Sequence, residues 1–282
     1  MPELPELEVV REVLNRRVAG TTVTGAETFK TGATVVRDLT QNGFAASLTH
    51  AFNVGAERRG KFLILELRPA DGEQPDSPLY LVINPKLTGR LQLARPGDKR
   101  HARTAFVLSL SSGDELRYFD QKSMGQAYLT RDLAFVPELD RTAPDALTIG
   151  LDEFRSRLRL FRGEIKGILT RGDFVAGIGN AYADEILWAA RLNPFRKRTQ
   201  LTEAETERLY EAMRATLAEA TAKVRDEMGE HIERKPRDFM AVHMRAGEPC
   251  PRCGSPVSLV GANRRITNFC RKCQPGGLIK GM

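Results

Sequence analysis

No stretch of this 282-residue chain comes near the roughly 18 apolar residues of a membrane span, and its first residues lack the basic-then-apolar layout of a secretory signal. An intracellular protein that does not enter membranes is therefore expected. No cysteine occurs before position 250; all four, Cys250, Cys253, Cys270 and Cys273, fall in the last 33 positions. That excludes a disulfide framework spanning the chain and, in a reducing compartment, favours a metal. Internal repeats and low-complexity tracts are also missing, which sets aside solenoids and tails of biased composition.

What is present fits one large domain or two smaller ones with a sizeable core. The net charge is +7, and its placement says more than its size: from His231 to Met282 there are ten basic and three acidic residues, equal to the whole excess. A locally basic end suits a polyanionic partner, although basic tails that only aid solubility are common.

After Pro5, ELEVVREVLNRRVAG reads as a helix, with Pro5 in the first turn, Leu7, Val10 and Val13 or Leu14 on one face, and Gly20 ending it. The next hundred residues are short apolar segments, KFLILEL (61–67), PLYLVIN (78–84), AFVLSL (105–110) and ELRYF (115–119), separated by Gly, Pro, Asp and Ser, with SSGD (111–114) as a hairpin turn. Residues 1–138 thus read as a mostly antiparallel β domain with one helix at its amino end. Pro144 and Gly150 mark a linker over 139–150. Beyond it, 151–244 reads as helical: Thr202 and Glu205 form a capping box, and Leu209, Met213, Leu217, Ala220 and Val224 follow at helical spacing. Residues 229–246 have poor periodicity and many charges and read as a long loop, either functional or disordered. The fold class is α+β in two domains, with 245–282 as a metal-binding finger.

That finger is CPRC and CRKC in the spacing C-x2-C-x16-C-x2-C. Each pair can reach one ion, and the spacer is long enough for a β-hairpin between the pairs. Four sulfurs with no open position make one structural, tetrahedral Zn²⁺ site. Four unrelated thiols or a redox pair fit this clustering less well.

Two other stretches gain meaning only in company. In FVAGIGNAYADEIL (174–187), Gly177 and Gly179 allow close backbone approach and Asn180 sits at a helix start that attracts phosphate; on glycine count alone it is an ordinary tight turn. At the amino terminus, removal of Met1 would leave Pro2 as a secondary amine with a pKa of about 8 that can attack an electrophilic carbon, beside Glu3 and about one turn from Glu6. Taken alone, this is a capped surface helix with acids favoured by the dipole.

Together, PELPELE, RRGKFLILEL, the RYFD hairpin, IKGILTRGDFVAGIGNAYADEIL, GEPCPRCG and RRITNFCRKC resemble, in order and over nearly the whole chain, the family of formamidopyrimidine-DNA glycosylase and endonuclease VIII. The resemblance implies an N-terminal β-sandwich, a helix-two-turns-helix domain with a zinc finger, and double-stranded DNA bound across a cleft. It implies a monomeric enzyme of the cytoplasm or nucleoid that removes oxidised bases and cuts the abasic strand by β,δ-elimination. By the same resemblance Pro2 is the nucleophile at C1′ and Glu3 the acid assisting ring opening. Lys61, Asn180 and Arg265 hold phosphates around the flipped nucleotide, Lys166 is a secondary phosphate contact, and Glu6 and Glu185 are further acids of the active-site region. Enzymes acting on a base must extrude it from the stack, and family members fill the gap with a wedge. Here Leu87 stands where Met is common, and Lys122 and Met124 where Arg and Phe are common, so an apolar wedge survives with different hydrogen bonding to the orphaned base.

The Gly- and Thr-rich start of the loop that covers oxidised guanine in the family is replaced by KVRDEMGEHIERKPRDFM, although Phe239 and VHMRAGEPC still match. The PELPE start and the R-x-T-x-F-C finger favour oxidised purines such as 8-oxoguanine and formamidopyrimidines, with oxidised pyrimidines as the alternative. Rival classes are a damaged-DNA binder without catalysis and a zinc-ribbon partner of RNA or the ribosome.

Overall fold

A computed structural model describes residues 1–69, 78–140, 142–261 and 266–276. Contacts divide the chain into two compact units, Met1–Asp140 with Val224–Pro236, and Arg141–Lys223 with Arg237–Met282. No helix among the described residues is long and apolar enough to cross a membrane.

The first unit opens with helix α1 (Leu4–Arg17). Glu3 precedes it in extended conformation and forms a reciprocal capping box with Glu6, in which the Glu3 N–H donates to Glu6 Oε2 at 2.8 Å. Strands and short helices follow as β1 (Val23–Thr28), α2 (Gly32–Val35), β2 (Val36–Asp38), α3 (Phe44–Leu48), β3 (Phe52–Arg59), β4 (Phe62–Arg68), β5 (Leu79–Asn84), β6 (Gly89–Ala94), β7 (Thr104–Leu110), β8 (Glu115–Asp120) and β9 (Gln126–Thr130). They form a sandwich of two sheets, ordered β1-β7-β8-β6 and β2-β9-β5-β4-β3. All pairings within these sheets are antiparallel except β2 with β9. SSGD turns β7 into β8, with Gly113 at φ 88° as its left-handed residue.

The unbroken apolar run of β4 has a physical reason. Phe62 and Ile64 pack with Val82, Tyr128, Val136 and Leu139 in one cluster, while Leu63, Leu65 and Leu67, on the opposite face, are also buried. A sheet covered on both sides loses the alternation that a half-exposed strand shows.

Helix α1 is mounted on this sheet rather than merely resting near it. The Asn15 side chain donates to the Ala56 carbonyl at 2.7 Å and accepts from the Ala56 N–H at 2.8 Å, giving edge strand β3 the partner an edge lacks. Glu8 pairs with Arg58 at 2.7 Å, and both Arg58 and Arg11 hold its carboxyl below the usual range against the opposing cost of burial. The helix that follows Pro2 is therefore tied to β3 through both Glu8 and Asn15.

The second unit contains α4 (Leu151–Leu160), α5 (Ile165–Leu169), α6 (Asn180–Ala189), the start of α7 (Glu203–Met228), and the hairpin of β10 (Ser258–Val260) and β11 (Thr267–Phe269). The capping box at α7 is present, with the Thr202 N–H donating to Glu205 Oε2 at 3.0 Å and the Glu205 N–H to Thr202 Oγ1 at 3.2 Å. Its apolar stripe, Leu209, Met213, Leu217, Ala220 and Val224, is buried throughout. Sequence periodicity runs unbroken along this helix, so nothing local announces that Val224–Pro236 packs with the first unit, where Arg225 bonds Glu12 at 2.8 Å. Residues 229–246 contain neither helix nor strand.

Candidate functional site

In the first unit, Pro2 is buried and lines a small pocket of about 20 Å³ with Glu6, Arg90, Tyr118, Met228 and Ile232, room for about one water. Glu3 is only 2% exposed. Lys61, half-buried, follows Gly60 at φ 57° in the tight turn from β3 to β4, the pair against which α1 packs.

Leu87, Lys122 and Met124 lie on the β5–β6 and β8–β9 loops. Leu87 is half-buried and Lys122 exposed, and Met124 is 39% exposed. Both loops are tied to Asp120, the last residue of β8. Its Oδ1 accepts from the Thr88 hydroxyl and from the Lys122 N–H at 3.1 Å, and its Oδ2 from the Gly125 N–H at 2.6 Å.

In the second unit, α6 begins at Asn180 after a turn with Gly177 at φ 102°. Asn180 Nδ2 donates to the Ile266 carbonyl at 2.9 Å. Lys166 is 8% exposed, and its ammonium donates to the same carbonyl and to Thr267 Oγ1, both at 2.9 Å, and pairs with Asp184 Oδ1 at 2.7 Å. Two residues named from sequence thus converge on Ile266, the neighbour of Arg265, which lies outside the described residues. An open groove of about 690 Å³ beside them is lined by Arg162, Lys166, Arg171, Asn180 and Thr267.

Glu185 is buried and accepts from the N–H groups of Ala241, Val242 and His243 at 2.8, 2.9 and 2.8 Å. Burial pushes its carboxyl up, opposed by those three amides. Its neighbour Asp184 accepts from His243 Nδ1 at 2.8 Å and from the Asn268 N–H at 3.3 Å. These consecutive acids tie the end of the long loop and strand β11 to α6, and Lys223 lies over the Phe239 ring at 5.6 Å. The loop is held at several points.

The four cysteine sulfurs lie within 4.8 Å of one another, with Cys250 to Cys273 at 3.9 Å and Cys253 to Cys270 at 3.5 Å. A tetrahedral ion with Zn–S bonds of about 2.3 Å places its sulfurs about 3.8 Å apart, so the set fits. Hydrogen bonds from Ser255 hold the Cys253 thiol down at about 6, whereas burial pushes Cys270 up and Cys273 up to about 12. Trp188 Nε1 donates to Cys250 Sγ at 3.4 Å, with Arg252 stacked 4.0 Å from the indole centroid.

Sequence reasoning passed over Asp120, Asp184, His243 and Trp188. One signal was available: NAYADEILWA is apolar apart from its two adjacent acids and Asn180, and acids on a helix buried all round require partners.

A β-sandwich opened by a proline-led helix, joined to a helix-two-turns-helix unit and a four-cysteine hairpin, defines the class of base-excision DNA glycosylases. Residues 1–127 match the formamidopyrimidine-DNA glycosylase N-terminal domain, 142–230 the corresponding H2TH domain, and 247–276 the zinc finger found in FPG and IleRS. The formamidopyrimidine-DNA glycosylase of Symbiobacterium thermophilum is 36% identical over 289 residues, covering 98% of this chain and 90% of its own. That of Deinococcus radiodurans is 33% identical over 290 residues, covering 98% of each. Among solved structures, the complex between Lactococcus lactis Fpg and DNA containing an abasic site has a TM-score of 0.82 at 26% identity, over 97% of this chain and 100% of that one. MutM in complex with carbocyclic 8-oxo-G containing DNA has a TM-score of 0.81 at 29% identity, over 98% and 100%. The chain belongs to the formamidopyrimidine-DNA glycosylase family.

Proposed function

We propose that this protein removes oxidised purines from double-stranded DNA and then cuts the abasic strand, with Pro2 as nucleophile. The observation that carries the reading is the seating of Pro2: it lies buried at the head of a helix whose cap is closed by Glu3 and Glu6 and whose body is pinned to β3 by Asn15. A reactive amine needs such a mount, because misplacement by about 1 Å costs on the order of a hundredfold in rate.

The chemistry balances without an external oxidant or reductant. The Pro2 nitrogen adds to C1′ as the protonated base departs, and Glu3 gives a proton to the ring oxygen as the sugar opens, leaving an iminium between nitrogen and C1′. Loss of a C2′ proton expels the 3′-phosphate, loss of the C4′ proton expels the 5′-phosphate, and water releases Pro2. Lys61, Asn180 and Arg265 hold the flanking phosphates, and Leu87, Lys122 and Met124 enter the space left by the base. Glu6 closes the helix cap beneath the amine. Lys166 serves the phosphate grip from behind, by fixing the Ile266 carbonyl next to Arg265, and Glu185 fixes the loop end beside the lesion. The four cysteines would hold one Zn²⁺ ion whose closed sulfur set gives the finger its fold. Action on DNA implies an intracellular protein, and relatives whose complexes contain 8-oxo-G or Fapy-dG support the purine class.

Borohydride trapping on abasic-site duplex tests the reading. A covalent adduct is expected for the protein with a free Pro2 amine and is lost when that amine is blocked or Met1 is retained, with the fold unchanged. No adduct with a free Pro2 terminus refutes it and leaves a damage-binding protein.

A further inference from the structure

The geometry points to Asp120 as a positioning residue that makes one mechanical part of the two loops proposed to enter the DNA; this rests on the base-extruding reading above. Leu87 and Lys122 lie on different loops, each crossing from one sheet to the other, 35 positions apart in the chain, and nothing in either loop's own sequence couples them. Asp120 does. It is wholly buried, and its single carboxylate serves both: Oδ1 takes the Thr88 hydroxyl from the first loop and the Lys122 N–H from the second, and Oδ2 takes the Gly125 N–H. The Lys122 N–H also reaches Thr88 Oγ1 at 3.1 Å, so the loops touch directly. A buried carboxylate satisfied by three loop donors is a strong anchor, because each charge-assisted bond exceeds a neutral one.

Packing supports the same role. Both loops end in a glycine against one phenol: a Cβ on Gly89 or on Gly125 would lie 2.0 Å from the Tyr118 hydroxyl oxygen, closer than any real contact. Burial raises the Tyr118 phenol well above its ordinary value, so it stays a neutral, shape-filling floor. Each loop also carries a residue in the left-handed region, Lys86 at φ 45° and Ser123 at φ 50°, conformations that persist only where the surroundings impose them. Gly89 pairs with Asp120 in the β6–β8 ladder, so the sheet sets the relative position of both loop bases. The proposed consequence is that the apolar and cationic tips advance together, and that inserting them into duplex requires this shared mount.

Thr88→Val and Asp120→Asn test it. Valine keeps the volume and removes the bridging hydroxyl; asparagine turns one of the two acceptor oxygens into a donor facing donors. Single-turnover removal of 8-oxoguanine from duplex is expected to fall about ten- to a hundredfold in each variant, with Thr88→Ser restoring it. Borohydride trapping on a single-stranded abasic oligonucleotide, which has no partner strand to part, is expected to stay within about twofold of wild type. Full duplex activity in both folded variants overturns the proposal, and so does an equal loss on duplex and single strand, which signals general damage to the fold. Failure of the wild-type protein itself to trap an abasic-site duplex instead overturns the catalytic reading, and is seen without any variant.

Discussion

Glu3 joins a structural duty to a proposed chemical one within one side chain. Its carboxylate closes the cap of α1 with Glu6, and as the residue after Pro2 it is the proposed proton donor to the opening sugar. Glu3→Gln separates them, since the amide oxygen can still accept from the Glu6 N–H while the acid is gone. Base removal is expected to fall by about two to four orders of magnitude with affinity for lesion duplex near normal; single-turnover excision and equilibrium binding measure the two, and retained excision would contradict the acid role. The capping role explains why the residue is almost wholly buried.

At the scale of elements, α7 shows how a start signal becomes stability. Glu205 closes the Thr202 cap and pairs with Arg196 at 2.5 Å. Chiefly through that hydrogen bond its carboxyl is held down at about 2, from an ordinary 4.5. A carboxyl depressed on folding stabilises above its unfolded value and loses that contribution as pH falls through the folded one. Glu205→Ala is therefore expected to destabilise by about 1 kcal/mol at pH 7, with the gap to wild type closing between about pH 4.5 and pH 2. Urea unfolding at several pH values checks this; a gap independent of pH would assign the whole effect to helix propensity. The stripe of α7 was legible because a 3.6-residue period is a local property. The strands were legible as apolar runs for a related reason, since burial on both faces leaves few polar interruptions in β4. The ties made by Glu185, which lies on α6 and grips residues 241–243, were not legible, because a hydrogen bond across 56 to 58 positions leaves no periodic trace.

For the whole molecule, the basic carboxyl-terminal stretch and the groove beside Asn180 support a phosphate-binding role that salt should reveal. Each cation that neutralises a phosphate releases counterions, so affinity falls linearly with log salt. Arg265→Ala is expected to weaken binding to lesion and intact duplex alike and to reduce the salt slope by about one, read by fluorescence anisotropy across a salt series. An unchanged slope would remove Arg265 from the phosphate set.

The residue pattern alone determined the four-cysteine spacing, the apolar strands and the stripe of α7, because each depends on neighbours a few positions away. Tertiary structure alone decided that Lys166 spends its donors on Ile266, Thr267 and Asp184. It also decided that Val224–Pro236 packs with the first unit and that two separate loops share Asp120. Those arrangements arise from satisfying buried polar groups at long range, where cost depends on which partners the fold brings near. Local sequence specifies the groups; only packing selects their partners.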